Sequence, residues 1–438
     1  MSVFIDFNKY IKKVADIDTG RYIGKVTRVV GLTIEVRGIK TFIGEICKIK
    51  VQNQDVLAEV VGFKDEYTLL MPLDNLNGVS SNCQVFSTGQ TLNVAVGDEL
   101  LGKVINGLGY PLDGTKLDTT MNSYPVYNTP PNPLARKPIK NRLVTGIKAV
   151  DGFITLGEGQ RIGVFSGSGV GKSTMMGMIA RNSSAQINVI GLIGERGREV
   201  LEFIERDLGS EGLKKSVVVV ATSDQPALLR IKGALMVHAI AEYFRDRGKR
   251  VLLMMDSVTR FAMAQREVGL AVGEPPTTKG YTPSVFAMLP KLLERTGNNE
   301  KGSITALYNV LVDGDDFNEP ISDAVRGILD GHILLSRELA AKNHFPAIDV
   351  LNSISRLAID ITDKRQQDLV GEIRSNLAIY HENKDLISIG AYQKGSNIKI
   401  DRAIKLNDSI NALLKQDVDE VFLYSQTLEL MERIIESN

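Results

Sequence analysis

The chain reads Val164-Phe-Ser-Gly-Ser-Gly-Val-Gly-Lys-Ser-Thr174, from the end of a short apolar strand at 161–165 to the start of a helical segment at Met175. Its glycines let backbone N–H groups turn inward into a concave anion site, and the helix start adds the positive end of its dipole. A lysine at 172 reaches the β- and γ-phosphates, and the hydroxyl of Ser173 suits Mg²⁺. The residues predicted to hold a nucleoside triphosphate are Gly167, Ser168, Gly169, Val170, Gly171, Lys172, Ser173 and Thr174.

The alternative for this stretch is a glycine-rich turn that binds nothing. A strict phosphate-binding loop has glycine at its first position, where this chain has Ser166. The intact Gly-Lys-Ser-Thr end, placed between a strand and a helix, favours a triphosphate with magnesium over an empty turn.

Strand-like and helical runs alternate after a proline-rich, extended segment at 124–142. The strand-like runs are Asn188–Ile193, Ser216–Ala221, Val251–Met255 and Ile304–Tyr308. They are largely apolar, which is typical of a parallel sheet covered by helices on both faces. The sequence therefore predicts an α/β core around the phosphate-binding loop.

Two carboxylates follow strands of this core. Asp256 ends the run from Val251, where it can hold Mg²⁺ in the Walker B role; a helix cap is the alternative. Glu195 follows the strand that ends at Ile193, at the edge where such a sheet presents its ligand crevice. A carboxylate there can align and polarise the attacking water. The next residue, Arg196, can neutralise phosphate charge or bridge to a neighbouring subunit.

Composition excludes several classes of protein. A chain of 438 residues is too long for one compact core and indicates two or three domains. Its 52 basic and 52 acidic residues balance, so no global field favours nucleic acid or a membrane surface. The four histidines form no ligand cluster, which disfavours zinc, and no apolar run is long enough to span a membrane. We expect a cytoplasmic protein.

The regions outside the core have patterns of their own. Residues 1–18 carry an apolar stripe at helical spacing, made of Phe4, Phe7, Ile11 and Val14. This stripe packs either on its own domain or, as we expect, on a partner protein. Short alternating runs from Gly20 to about Thr88 predict a small antiparallel β-barrel. From about Asp363 the pattern is helical to the end, with a heptad-like series of Val418, Phe422, Leu428 and Met431.

Six motifs together carry a resemblance to a known family. They are Gly167-Ser-Gly-Val-Gly-Lys-Ser-Thr174, Gly194-Glu-Arg-Gly-Arg-Glu-Val200, Met255-Asp-Ser-Val-Thr-Arg-Phe-Ala-Met-Ala-Gln-Arg-Glu267, Gly273-Glu-Pro-Pro-Thr-Thr-Lys-Gly-Tyr281, Gly314-Asp-Asp-Phe-Asn-Glu-Pro-Ile321 and Ser353-Ile-Ser-Arg356. Over nearly its full length the chain resembles the RecA-like rotary ATPase superfamily. Within that superfamily it is most similar to the flagellar protein-export ATPases.

The resemblance implies a domain plan: a partner-docking helix at 1–18, a β-barrel at 19–90, a RecA-like P-loop ATPase domain with a mostly parallel sheet at 91–362, and a helical domain at 363–438. It implies a homohexamer with the ATP sites between subunits. Carried over by motif, Lys172 and Ser173 bind phosphates and Mg²⁺, Glu195 is the catalytic carboxylate and Asp256 is the Walker B acid.

Two further roles are implied by the resemblance alone. Arg356 matches the arginine finger that one subunit offers to its neighbour; from spacing it could equally be an ordinary surface arginine. Phe345 matches an aromatic residue that packs on adenine. The family commonly has tyrosine there, and phenylalanine keeps the stacking face while losing the hydroxyl.

The activity implied is Mg²⁺-dependent ATP hydrolysis that energises flagellar type III protein export, through unfolding or loading of substrates at the export gate. Implied partners are a regulatory stator-like protein at the N-terminal helix, export-gate membrane proteins and chaperone–substrate complexes, but no nucleic acid. The implied location is cytoplasmic, peripheral to the inner membrane through the export apparatus.

Several relatives remain as alternatives. The ATPase of an injectisome type III secretion system shares nearly all of the motifs. The ATP synthase β subunit usually reads Gly-Glu-Arg-Thr-Arg-Glu-Gly where this chain has 194–200. An RNA translocase like the terminator Rho would need a barrel with grouped aromatic and basic residues, and those in 20–88 are scattered. A non-catalytic nucleotide-binding subunit would lack the acid that Glu195 supplies.

Overall fold

The computed structural model describes residues 22–52, 54–118, 121–312, 316–317 and 319–436. The docking helix predicted at residues 1–18 lies outside the described residues.

The described strands are β1 (Ile23–Val30), β2 (Thr33–Arg37), β3 (Glu45–Val51), β4 (Gln54–Lys64), β5 (Tyr67–Pro72), β6 (Gln84–Thr91), β7 (Asn93–Val96), β8 (Val104–Asn106), β9 (Asn122–Pro125), β10 (Arg142–Leu143), β11 (Leu156–Gly157), β12 (Arg161–Ser166), β13 (Ile187–Ile193), β14 (Ser216–Ala221), β15 (Arg250–Asp256), β16 (Gly297–Asn298), β17 (Ser303–Leu311), β18 (Gly331–Leu335) and β19 (Ile354–Ser355). The described α-helices are α1 (Lys148–Phe153), α2 (Lys172–Asn182), α3 (Gly197–Glu202), α4 (Gly209–Lys214), α5 (Ala227–Asp246), α6 (Val258–Ala271), α7 (Pro283–Leu293), α8 (Pro320–Ile328), α9 (Arg337–Ala341), α10 (Ala358–Ile361), α11 (Lys364–Ser388), α12 (Ile398–Leu414) and α13 (Tyr424–Glu436). A π-helical segment, Phe203–Leu208, lies between α3 and α4.

The predicted N-terminal barrel is confirmed. Six antiparallel strands close in the order β1-β2-β5-β4-β3-β6. Along each strand, alternate side chains point into the barrel. Val26, Val36, Ile49, Leu70 and Val85 therefore form a separate buried cluster. The described chain divides into two compact units, and this barrel belongs to the first, whose described part comprises residues 22–52, 54–92 and 271–273.

The second unit is built on the predicted parallel sheet, which is also confirmed. Its strand order is β19-β18-β12-β17-β15-β13-β14-β8, and β19 alone on this path runs antiparallel to its neighbour among the described strands. The predicted apolar runs coincide with β13, β14, β15 and β17. Since parallel strands point the same way, the carboxyl ends of β12, β13 and β15 lie along one edge.

The C-terminal helices α11, α12 and α13 share one hydrophobic cluster with this sheet. Ile373, Ile410 and Met431 from the helices are buried in the same cluster as Val164 and Ile190 from the strands. The predicted boundaries of the domains stay predictions, because a continuous core crosses the one placed at residues 362–363.

The heptad-like series is wrong in its first half. Val418 and Phe422 lie in the non-helical connector between α12 and α13, residues 415–423. The Glu420 carboxylate accepts the backbone N–H of Asp417 within the connector, and the Gln426 side chain accepts the N–H of Leu423. These side-chain hydrogen bonds stabilise a turn and place the start of α13 after the connector. The spacing of apolar residues does not predict either effect.

None of the helices in the described part of the chain is long and apolar enough to cross a membrane.

Candidate nucleotide-binding site

The phosphate-binding loop has the predicted backbone course. Strand β12 ends at Ser166 and helix α2 begins at Lys172. Gly169 and Gly171 have φ of 79° and 83°, a left-handed conformation that side chains with a Cβ rarely adopt. The loop can therefore turn its N–H groups toward an anion at the helix start.

The side chains of two residues distant in sequence lie close to two glycines of this loop. A Cβ on Gly167 would stand 2.4 Å from Nε of Arg337. A Cβ on Gly171 would stand 3.3 Å from the ring of Phe345, so the predicted base-packing residue does lie against the loop. Phe345 is 40% exposed, so part of its surface is accessible to a ligand.

Two predicted loop residues direct their side chains away from a ligand. Val170 is 2% exposed and packs into the hydrophobic core, so only its backbone is available. The hydroxyl of Thr174 donates to the buried carboxylate of Asp207 at 3.4 Å, in the π-helical segment. The side chain of Ser173 is partly buried at the first turn of α2.

Lys172 and Asp256 meet at the carboxyl edge of the sheet, a contact that the sequence analysis did not predict. Asp256 is the last residue of β15 and is 3% exposed. Nζ of Lys172 donates to its Oδ1 at 2.6 Å, a charge-assisted bond across the sheet edge. Without this cation, a carboxylate buried so deeply would be costly to keep ionised.

Glu195 joins the same group. It directly follows β13 and Gly194, and its Oε1 is buried without a hydrogen-bond partner in the described residues. Burial first, and then the charge of Asp256, raise the pKa of Glu195 to about 8, while Lys172 opposes the rise. A carboxyl with so high a pKa at a strand end is a mark of a functional site.

The sequence analysis missed Arg260, which lies one helical turn beyond Asp256 in α6. A Cβ on Gly194 would stand 2.6 Å from Cβ of Arg260, so this arginine packs directly beneath the turn that carries Glu195. Its Nε is buried and has no hydrogen-bond partner among the described residues. Its spacing of four from Asp256, on a helix leaving the same strand, was the available signal.

Oε1 of Glu195 and Nε of Arg260, both buried without a hydrogen-bond partner among the described residues, indicate which groups a fitting ligand must supply. Buried polar atoms are normally hydrogen-bonded, so each of these two atoms lacks a partner that a bound ligand could provide. A phosphate oxygen and a water supply an acceptor and a donor of the kind required. The donor set of Ser173 and Asp256, a hydroxyl and a carboxylate, suits Mg²⁺.

Two predicted arginines do not join the group in this chain. The side chain of Arg196 is 78% exposed and its Nη1 donates to Glu199 at 3.2 Å. Arg356 follows β19, and its N–H donates to the carbonyl of Asp330 at the amino end of β18. β18 is five residues long, roughly 16 Å, and this length separates Asp330 from the carboxyl end of the strand, beside which the phosphate-binding loop begins.

Comparisons with known proteins agree with this architecture. Residues 146–355 match the ATP synthase alpha/beta family, nucleotide-binding domain, and residues 26–89 match the beta-barrel domain of that family. Residues 362–433 match the T3SS EscN ATPase C-terminal domain.

Individual relatives are similar over nearly the whole chain. The flagellum-specific ATP synthase of Bacillus subtilis is 55% identical over 414 residues, 94% of each chain. The type 3 secretion system ATPase of Xanthomonas euvesicatoria is 50% identical, over 97% of this chain and 96% of its own. The assembled ATPase EscN of the enteropathogenic E. coli type III secretion system superposes with a TM-score of 0.89 at 44% identity, covering 94% of this chain and 100% of its own.

Proposed function

The chain belongs to the type III export ATPases of the ATP synthase alpha/beta family, and from this premise we propose that it hydrolyses ATP with Mg²⁺ to energise flagellar protein export. The observation that carries the proposal is one group of side chains at the carboxyl edge of the sheet. Lys172, Asp256 and Glu195 stand there beside the phosphate-binding loop, where the charge of Asp256 adds to the rise in the pKa of Glu195 and that of Lys172 opposes it.

Triphosphate binding uses the loop and the ion pair. The N–H groups of Gly167 to Thr174 donate hydrogen bonds to the phosphates, and Lys172 exchanges Asp256 for a phosphate oxygen. Ser173 and Asp256 would hold Mg²⁺, which would neutralise charge on the phosphates. Phe345 packs on the adenine from the side of Gly171.

Glu195 orients the attacking water. Its carboxyl is the better acceptor for that water when ionised, and burial first, then the charge of Asp256, raise its pKa to about 8 while Lys172 opposes the rise. A further cation held at Asp256 would offset part of this rise and favour the carboxylate.

A complete site needs two copies of the chain. Arg356 lies too far along β18 to reach its own loop, so it stabilises the transferred phosphoryl group of a neighbour. The assembly is a homohexamer, with Arg196 exposed at the edge of each site for phosphate or for the adjacent subunit. Support comes from the assembled form of EscN, and a second structure shows EscN in complex with its central stalk EscO.

Export of flagellar components is supported by the 55% and 51% identity to flagellum-specific ATP synthases of Bacillus subtilis and Treponema pallidum, and the 50% identity to the Xanthomonas euvesicatoria type 3 secretion system ATPase makes an injectisome the second candidate. The partners in this setting are a stator-like regulator at residues 1–18, export-gate membrane proteins and chaperone–substrate complexes. The protein works in the cytoplasm, held at the inner membrane through them. Loss of flagella and of secreted filament protein in a Glu195→Gln strain tests this assignment; a strain that loses only injectisome secretion contradicts it.

The activity itself is tested by Glu195→Gln in the purified protein. We expect hydrolysis to fall by about 10²–10⁴-fold, because the water loses its orienting carboxylate. ATP affinity should stay within a few fold, since the phosphate-binding residues are unchanged. The matched control is Glu202→Gln, on α3, where an exposed carboxylate pairs with Arg198. Full turnover by the Glu195 variant would contradict the role given to Glu195, and ATP binding without turnover in the unaltered protein would instead assign the chain a non-catalytic, ring-stabilising role.

A further inference from the structure

The connector between α12 and α13, residues 415–423, contacts three parts of the nucleotide-binding unit. Its Val418 carbonyl accepts a bond at 3.0 Å from Nη2 of Arg181, in the last turn of the phosphate-loop helix α2. The ring of its Phe422 lies 4.3 Å from Nζ of Lys148, in α1. The third contact is made by Gln416 and reaches Phe345, the residue proposed to pack on the nucleotide base.

Gln416 is 5% exposed, and its side-chain amide is fully used. Oε1 accepts the N–H of Lys148 at 2.9 Å, and Nε2 donates to the carbonyls of Gly146 at 2.8 Å and Glu420 at 3.0 Å. A buried amide with this many bonds has one position available to it, because moving it would leave buried polar groups unpaired.

The backbone of the same residue holds the peptide of Phe345. The N–H of Gln416 donates to the Phe345 carbonyl at 3.0 Å. The ring of Phe345 in turn lies against Gly171 of the phosphate-binding loop. The side-chain amide of Gln416 therefore fixes, through its own backbone, where the base-packing ring stands relative to the loop.

We propose that Gln416 is a positioning residue for the nucleotide base, and that through it the placement of the C-terminal helices sets the affinity for the adenine end of ATP. The proposal rests on the proposed function, since it takes Phe345 as the base-packing residue. Gln416 itself touches no ligand in this scheme. We expect its effect to be confined to the base, because Lys172, which binds the phosphates in this scheme, is held by Asp256 instead.

The chain offers a matched control in Gln366. This glutamine is 1% exposed and also joins the C-terminal helices to α1. Its Nε2 donates to the carbonyls of Asp151 and Gly152, at 3.2 and 2.9 Å, and its Oε1 accepts from Tyr424. No contact joins it to Phe345 among the described residues. Replacing either glutamine by methionine removes one buried amide of equal size between the same two regions.

The experiment measures dissociation constants for a non-hydrolysable ATP analogue and for inorganic tripolyphosphate, which has no base, in Gln416→Met and Gln366→Met. For Gln416→Met we expect the analogue to bind about tenfold more weakly and tripolyphosphate to bind within twofold of wild type. For Gln366→Met we expect both constants to stay within twofold, although both variants lose thermal stability. Unchanged analogue affinity in Gln416→Met, or equal weakening of both ligands, overturns the proposal.

Two further measurements cover the case in which Gln416→Met does not fold. Gln416→Glu keeps the shape and the acceptor for Lys148 but loses the donor to Gly146, and should show the same split between the ligands. In the unaltered protein, amide exchange of a peptide spanning 411–423 should slow more with the analogue than with tripolyphosphate; equal slowing contradicts the proposal. If the unaltered protein binds neither ligand, it is the proposed function that fails.

Discussion

At the scale of single residues, Glu195 links the chemistry of the site to the stability of the fold. Its pKa is raised from 4.5 to about 8 by burial and by the charge of Asp256. Between these two values the folded protein holds a proton that the unfolded chain has released. Stability must therefore fall as pH rises through this window, because the folded state binds more protons than the unfolded one.

Glu195→Gln removes this pH dependence, since an amide does not ionise. Without nucleotide or Mg²⁺, the melting temperature of the variant should exceed that of wild type by a margin that grows from about pH 5 to pH 8 and then levels off. Thermal melts followed by circular dichroism across this range measure the margin. Glu202→Gln, at an exposed ion pair, should give a small difference that does not grow with pH. A constant margin for the Glu195 variant would count against a raised pKa.

At the scale of elements, helix α2 packs against the π-helical segment Phe203–Leu208 with almost no clearance. A Cβ on Gly177 would stand 2.4 Å from the backbone oxygen of Asp207. The same residue binds Thr174 through its carboxylate, and its carbonyl accepts from Arg181. The π-helical segment thus supports the phosphate-loop helix at its start, middle and end.

Gly177→Ala should therefore destabilise the protein, by about 1–3 kcal/mol, because backbone rather than a flexible side chain must move. We expect weaker tripolyphosphate binding as well, since the start of α2 shifts with its middle. Gly371→Ala, at an exposed position of α11 with no atom within 4 Å of the added Cβ, is the opposite case. There alanine should stabilise by about 0.5–1 kcal/mol. Urea midpoints of the two variants on the same side of wild type would refute this account of the packing.

The elements that the sequence predicts well are those whose cause is local. Apolar runs identify β13, β14, β15 and β17, and the glycine-lysine-serine pattern identifies the turn into α2. Glu195 and Asp256 follow because strand ends meet at one edge of a parallel sheet. Arg260, Asp207 and Gln416 escaped prediction because their partners are distant along the chain. The connector was read as helix because side-chain bonds to its backbone leave no mark on apolar periodicity.

At the scale of the whole molecule, the role proposed for Arg356 divides one active site between two copies of the chain. Arg356 lies by Asp330 at the amino end of β18, while Leu335 at the other end of that strand lies beside Ser166, where the phosphate-binding loop begins. An arginine finger contributes roughly 10³–10⁵ in rate, so a lone chain should be nearly inactive. Activity per chain should accordingly rise with protein concentration as copies assemble.

Mixing two inactive variants tests this division directly. Arg356→Ala chains keep Glu195, and Glu195→Gln chains keep Arg356, so either variant alone lacks a complete site at every interface. In an equal mixture that assembles at random, about a quarter of the interfaces join an intact Glu195 to an intact Arg356, and activity should recover towards that fraction of wild type. Tagging one variant and recovering the other with it confirms that mixed assemblies form. If they form and remain inactive, the two residues do not serve one site; if activity recovers and is lost again on dilution, only a pocket completed by two chains accounts for it, because neither chain holds both groups.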